Sequence, residues 1–126
     1  MSDEDLEHIH IPANHKTIPQ KLNYLTNHGF PIVILTQGSK GTLVARQKER
    51  VVEVPVHKVK AVDTGGAGDS FNIGFVYGYL KHHDPIEGAS YGNSVASFFV
   101  SAKGTAGLKS LEIMTKRAQT ILKKVK

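Results

Sequence analysis

The sequence predicts an α/β layered fold in which a mostly parallel sheet, carrying a β-hairpin, is flanked by helices. Three observations carry that expectation: the unbroken apolar run IVILT at Ile32 to Thr36, the two β-rich runs directly after it, and the glycine-rich VDTGGAGDSF at Val62 to Phe71 that opens a long apolar segment. A continuously apolar, β-branched strand is buried on both faces, as in parallel sheets, and helices must then cover those faces. At 126 residues the chain is one domain at most.

The elements follow in order. Ser2 before Asp3, Glu4 and Asp5 is a helix start whose carboxylates suit the positive end of the helix dipole. A second helix is predicted from Thr17 to His28, with Pro19 in its first turn, Leu22 and Leu25 on one face and Gly29 as its stop. After Ile32 to Thr36 and the loop QGSKG, the runs Thr42 to Arg46 and Arg50 to Val56 flank a short polar turn and predict an antiparallel hairpin. Lys58 to Val62 leads into the glycines. SFNIGFVYGYL then reads as a buried helix, with Gly74 and Gly78 on one face to allow close packing. His82 to Pro85 is a loop, Pro85 to about Ala102 a helix, Lys103 to Gly107 a loop, and Ser110 caps a last amphipathic helix carrying Leu111, Ile113, Met114, Ala118, Ile121 and Leu122. One buried-type strand cannot form a parallel sheet alone, so another chain or an N-terminal half is expected to supply its neighbours.

Composition narrows the chemistry. With no cysteine, disulfides and thiolate metal sites are excluded and a reducing cytoplasm is compatible. No apolar run approaches the roughly 20 residues of a membrane span, so no membrane association is expected. The net charge is +5 although Asp3, Glu4, Asp5 and Glu7 crowd the first seven residues, which leaves the remainder basic and favours anionic ligands. Aromatics are not interleaved with the basic residues, so nucleic acid is not expected. The histidines, including His8, His10, His15 and the adjacent His82 and His83, lack the acidic or thiol partners at defined spacing that a metal site needs.

Two glycine signatures fail. GTAGLKS at Gly104 to Ser110 interposes Leu108 where a Walker loop needs lysine directly after glycine, and Phe71 stands where a dinucleotide fingerprint needs its third glycine. What remains is a set of glycines immediately before a long helix, which leaves backbone N–H groups unobstructed at the positive dipole end. Asp69 on the edge of such an anion hole is either a helix cap or a base beside a phosphate nest, the arrangement that phosphoryl transfer to an alcohol requires. Spacing alone leaves both open.

DTGGAGDSF closely resembles the DTxGAGDxF signature of the ribokinase-like (PfkB) carbohydrate kinase family. VILTQGSKGTLV resembles that family's strand and T-x-G-x-x-G loop, and NSVASFFVSAKGT its adenine-side helix and loop, so the resemblance spans nearly the whole chain. It implies a ribokinase-like fold, of which residues 1–126 form the C-terminal, nucleotide-binding and catalytic-base portion, the N-terminal half and the β-strand lid being absent. By position it makes Asp69 the base that deprotonates the substrate hydroxyl, with Gly66, Ala67 and Gly68 giving the anion hole. Thr36, Gly38 and Gly41 would approach the nucleotide phosphates, and Asn93 and Ala96 would border the adenine. Asp63 and Gly104 match positions that hold a monovalent cation, such as K⁺, in many members. Each has a plainer alternative: Thr36 as a structural strand end, Asn93 and Ala96 as helix packing, Asp63 as an Asx-type turn. The cofactors implied are ATP and Mg²⁺. Ser2 and Asp5 stand where the family often has the two ends of an Asn-x-x-Glu motif that organises Mg²⁺.

The function so implied is ATP-dependent phosphoryl transfer to a sugar hydroxyl. A non-catalytic nucleotide- or phosphate-binding remnant and a nucleoside- or vitamin-type kinase are the alternatives. Partners implied are a nucleotide and a small sugar, with either the N-terminal half or a second copy covering the open sheet edge.

Overall fold

The computed structural model describes residues 1–126. Its helices are α1 (Asp3–Glu7), α2 (Ile18–Asn27), α3 (Ala67–His82), α4 (Pro85–Val100) and α5 (Leu111–Lys123), and its strands β1 (Ile32–Thr36), β2 (Thr42–Arg46) and β3 (Val52–Val54). No helix is long and apolar enough to cross a membrane. Capping boxes at Ser2 and Thr17 start α1 and α2: each cap hydroxyl accepts the backbone amide three residues on, whose side chain in turn accepts the cap residue's backbone amide. Ser110 accepts from the Ile113 amide at the start of α5.

Within this chain the sheet is antiparallel, in the order β1-β2-β3, and not parallel. The five-residue link from Thr36 to Thr42 is too short for the crossover that a parallel neighbour needs. The one parallel pairing is the bridge of Ser2 with Thr36 on the outer edge of β1. The last hairpin arm is also shorter than its β-rich run, because Pro55 has no amide to donate. Helix α4 stops at Val100, two residues early: its carbonyl receives the amides of Val62 (2.7 Å) and Asp63 (3.2 Å) instead of continuing the helix.

Each face of the sheet has its own core. Leu22 and Leu25 of α2 pack with Leu6, Val33, Leu35 and Ala45, while Val44 and Val54 pack on the other face with Phe71, Ala89 and Ile121. On that second face α3 and α4 lie almost backbone to backbone. A Cβ at Gly74 would stand 2.6 Å from the Tyr91 carbonyl oxygen, and one at Gly92 2.5 Å from the Phe71 ring. The close packing expected of Gly74 and Gly78 is therefore against Tyr91 of α4. Helix α3 is not buried all round, however, because Ile73, Val76 and Leu80 are exposed.

Candidate active site

The site is assembled where loops meet the ends of the sheet and α4. Thr36 pairs with Thr42 across β1 and β2, and the Thr42 hydroxyl donates to Asn93 Oδ1 of α4 at 2.8 Å, so the Gln37 to Gly41 turn and α4 share one end of the molecule. The Val100 carbonyl ties the Val62–Asp63 loop to the far end of α4. The glycine run then enters α3.

Gly66 is the N-cap of α3, in the left-handed region at φ 82°, with no side-chain cap bond. A Cβ there would be 3.0 Å from the Phe99 ring, so both conformation and space call for glycine. The Ala67 amide donates to the Thr64 carbonyl at 3.2 Å and the Ser70 amide to the Gly66 carbonyl at 3.0 Å. The amides of Gly66, Gly68 and Asp69 have no acceptor in the protein. Of the three amides that the family resemblance implies, Ala67's is thus engaged in the turn, while those of Gly66 and Gly68, and Asp69's beside them, are unpaired. The unpaired Asp69 amide follows from the rule that the first four N–H groups of a helix are unpaired. Gly68 faces open space, since a Cβ there would meet nothing within 4 Å. Beside it Asp69 is exposed in the first turn. Unpaired donors at a dipole's positive end with an exposed carboxylate beside them can hold an oxyanion and accept a proton.

The remaining residues divide between cradle and frame. Gly38 (φ 56°) is exposed on the short 3₁₀ turn Gly38–Lys40, while Gly41 (φ 103°) is buried where a Cβ would come 2.8 Å from the Val54 carbonyl. Thr36 is half-buried and its hydroxyl donates to the Met1 carbonyl at 3.2 Å. Asn93 is buried, and besides accepting from Thr42 its Nδ2 donates to the carbonyls of Val54 (3.1 Å) and Pro55 (3.0 Å). Its amide therefore fastens α4 to the hairpin. Ala96 packs against the second core. Asp63 Oδ1 accepts the Gly65 amide at 2.9 Å, the Asx-type turn, and Gly104 (φ 55°) is exposed in the loop after α4. No three His, Cys, Asp or Glu side chains converge as a metal cluster.

The sequence model of the pfkB family carbohydrate kinases matches residues 2–112. The chain belongs to this family. Among its relatives, the nucleoside kinase of Methanocaldococcus jannaschii is 41% identical over 73 residues, 57% of this chain and 24% of that protein. Its solved structure superposes with a TM-score of 0.74 at 30% identity over 95% of this chain and 38% of that one. A ribokinase of Thermotoga maritima gives a TM-score of 0.79 at 26% identity, covering 94% of this chain and 40% of its own. An Arabidopsis thaliana ribokinase complexed with ribose and ATP shares the fold, with a TM-score of 0.76 at 22% identity over 94% and 39%. The fold of this pfkB-family chain is thus ribokinase-like, and the chain spans about two fifths of the length of these solved relatives.

Proposed function

We propose that this chain is the ATP-binding and catalytic-base portion of a kinase that transfers the γ-phosphoryl group of ATP to a sugar hydroxyl. The start of α3 carries the reading: free amides at Gly66, Gly68 and Asp69 beside the exposed Asp69 carboxylate. Asp69 takes the proton of the attacking hydroxyl while the new O–P bond forms. The bond from the γ-phosphorus to the bridging oxygen breaks and ADP leaves. The three amides stabilise the charge that develops on the transferring group without having to reorganise. Gly38 brings a second set of backbone groups toward the phosphates. Thr36 and Gly41 hold that turn in place, through the bond to Met1 and the close approach to Val54. Asn93 and Ala96 shape the adenine wall from the α4 side.

Mg²⁺ would be carried by the phosphates of the nucleotide, since no three His, Cys, Asp or Glu side chains of this chain come together to hold it. A K⁺ site at Asp63 and Gly104 is supported by the Val100 carbonyl, which binds the Asp63 loop at the point where the Gly104 loop begins.

Amide hydrogen exchange tests the reading directly. Saturating ATP should slow exchange at Gly66, Gly68 and Asp69 by roughly tenfold or more, as occupancy well above Kd requires, and leave Ala67, already bonded, nearly unchanged. Equal exchange with and without ATP at all four amides would remove the cradle. The M. jannaschii relative supports a second reading, a nucleoside acceptor in place of a free sugar. Phosphorylation of nucleosides but of no sugar by the complete enzyme would select it.

A further inference from the structure

A cavity of about 400 Å³ opens where the β2–β3 turn, the first turn of α4 and the chain after α5 meet. Arg46, Glu49, Arg50 and Lys126 supply its polar lining, and Val52, Ile86 and Val125 its apolar lining. It lies well away from the glycine cradle. Gly66 stands against the Phe99 ring near the end of α4, whereas Ile86 is in the first turn of that helix. At about 1.5 Å of rise per residue the two are separated by roughly 20 Å. Likewise Thr42, bonded to Asn93, and Arg46 are opposite ends of β2.

The lining is positively charged and incompletely satisfied. Three cationic side chains meet one carboxylate, and the balance stays positive even with a carboxylate at the Lys126 main chain counted in. Glu49 Oε2 is in ion-pair contact with Arg46 Nε but out of hydrogen-bond alignment, so that buried nitrogen has no bonded acceptor. Arg50, exposed in the turn, donates from Nη2 to the Lys126 main-chain oxygen at 2.6 Å. Neither guanidinium makes a further hydrogen bond or ion pair within the protein, and Lys126 Nζ meets no carboxylate. Both terminal nitrogens of Arg46, with Nε and Nη1 of Arg50, are therefore open to an acceptor from outside.

We propose that this cavity binds a small phosphate monoester, its phosphate held by Arg46 and Arg50 and its organic part packed on Val52, Ile86 and Val125. Planar guanidinium forks match the oxygens of phosphate and carboxylate alike. Two forks select the phosphate, because a dianionic monoester uses both whereas a monocarboxylate leaves one unmatched. The apolar lining selects an ester over the free ion, which would leave Val52, Ile86 and Val125 uncovered. A volume of about 400 Å³ suits a ligand of that size. Glu49 does not block entry: its side chain is half exposed and misaligned with Arg46, so it can turn to solvent as the phosphate arrives. The site is independent of the proposed phosphoryl transfer.

Phenyl phosphate titrated into the isotope-labelled 126-residue chain at constant ionic strength tests the site by NMR. The backbone amide signals of Arg50, Val52 and Ile86 should shift and saturate. Their affinity for phenyl phosphate should exceed that for inorganic phosphate by roughly fivefold or more, as burial of part of the ring requires. Arg46→Gln together with Arg50→Gln should abolish these shifts and leave any response at Gly66, Gly68 and Asp69 as it was. Arg50→Gln alone, at an exposed turn position, should weaken binding about tenfold or more, the loss expected for a charge-assisted bond, and it decides the matter if the double variant does not fold. Shifts confined to Gly66, Gly68 and Asp69 overturn the proposal. So do equal affinities for phenyl phosphate and inorganic phosphate, shifts that persist in the double variant, or an unchanged affinity in Arg50→Gln.

Discussion

At the scale of single residues, Asn93 shows how a family motif and a packing requirement share one side chain. Its position in NSVASFFVSAKGT implies the adenine border, yet its amide is buried and fully used between Thr42, Val54 and Pro55. Each buried group left without its partner costs about 1–3 kcal/mol. Asn93→Ala strands the Thr42 hydroxyl and two carbonyls, so it should lower Tm by on the order of 10 °C in the absence of any nucleotide. Thermal unfolding of the free chain decides this: an unchanged Tm with weakened ATP protection would make Asn93 a ligand and not a clamp. This bond network was not legible in the sequence, because Thr42 and Asn93 are 51 residues apart and nothing local couples them. Gly66 and Asp69 were legible, since the demand for a left-handed cap and for unpaired amides is local to the helix start. That the Ala67 amide is engaged while the Asp69 amide is unpaired was not, because it depends on how the turn closes on Thr64.

At the scale of elements, the same glycine has opposite meanings in two parts of α3. Gly74 lies 2.6 Å, by its would-be Cβ, from the Tyr91 carbonyl oxygen and 2.9 Å from Gly92 Cα, and neither is a flexible side-chain end. Gly74→Ala gains up to about 1 kcal/mol of helix propensity but forces two helix backbones apart, and overpacking of a tight contact costs about 1–3 kcal/mol. The net should be a lower urea midpoint. Gly68→Ala, whose Cβ meets nothing, should hold or raise that midpoint while interfering with anion approach. Destabilisation by both to the same extent would show that the α3–α4 contact is looser than its geometry states. Strand β1 was legible residue for residue, because a β-branched apolar run has one good solution. Its neighbours were not: apolar composition on both faces says that a strand is covered, but the short link to β2 dictates the antiparallel direction. The apolar character of α3 likewise implied burial, and the exposed Ile73, Val76 and Leu80 show that this chain covers only one side of it.

At the scale of the whole molecule, a chain of net charge +5 must place its cations somewhere within its own fold, and α5 brings two of them to His57. Burial first, and then the Arg117 guanidinium and the Lys124 ammonium, hold the His57 imidazole below its ordinary value of 6.5. Arg117 is itself fixed there, stacked on Phe98 at 3.6 Å and donating to Ser97 Oγ at 3.0 Å, so it cannot easily swing away from a charged His57. In the unfolded chain His57 regains its ordinary affinity for protons. Between its folded value and 6.5 the unfolded state consequently binds more protons than the folded one, and stability rises with pH across that window. The contribution is fully present above 6.5 and is lost as pH falls through the folded value. His57→Gln removes the group from both states. The urea midpoint of the wild-type chain should therefore fall more than that of the variant on acidification from about pH 7.5 to about pH 5.5, and Lys124→Gln should give an intermediate slope. The chain holds six other histidines, so the difference between the two curves, not either curve alone, carries the result. Parallel curves would mean that α5 does not press its charge on the loop leading to the glycine cradle, and that the C-terminal helix is uncoupled from it.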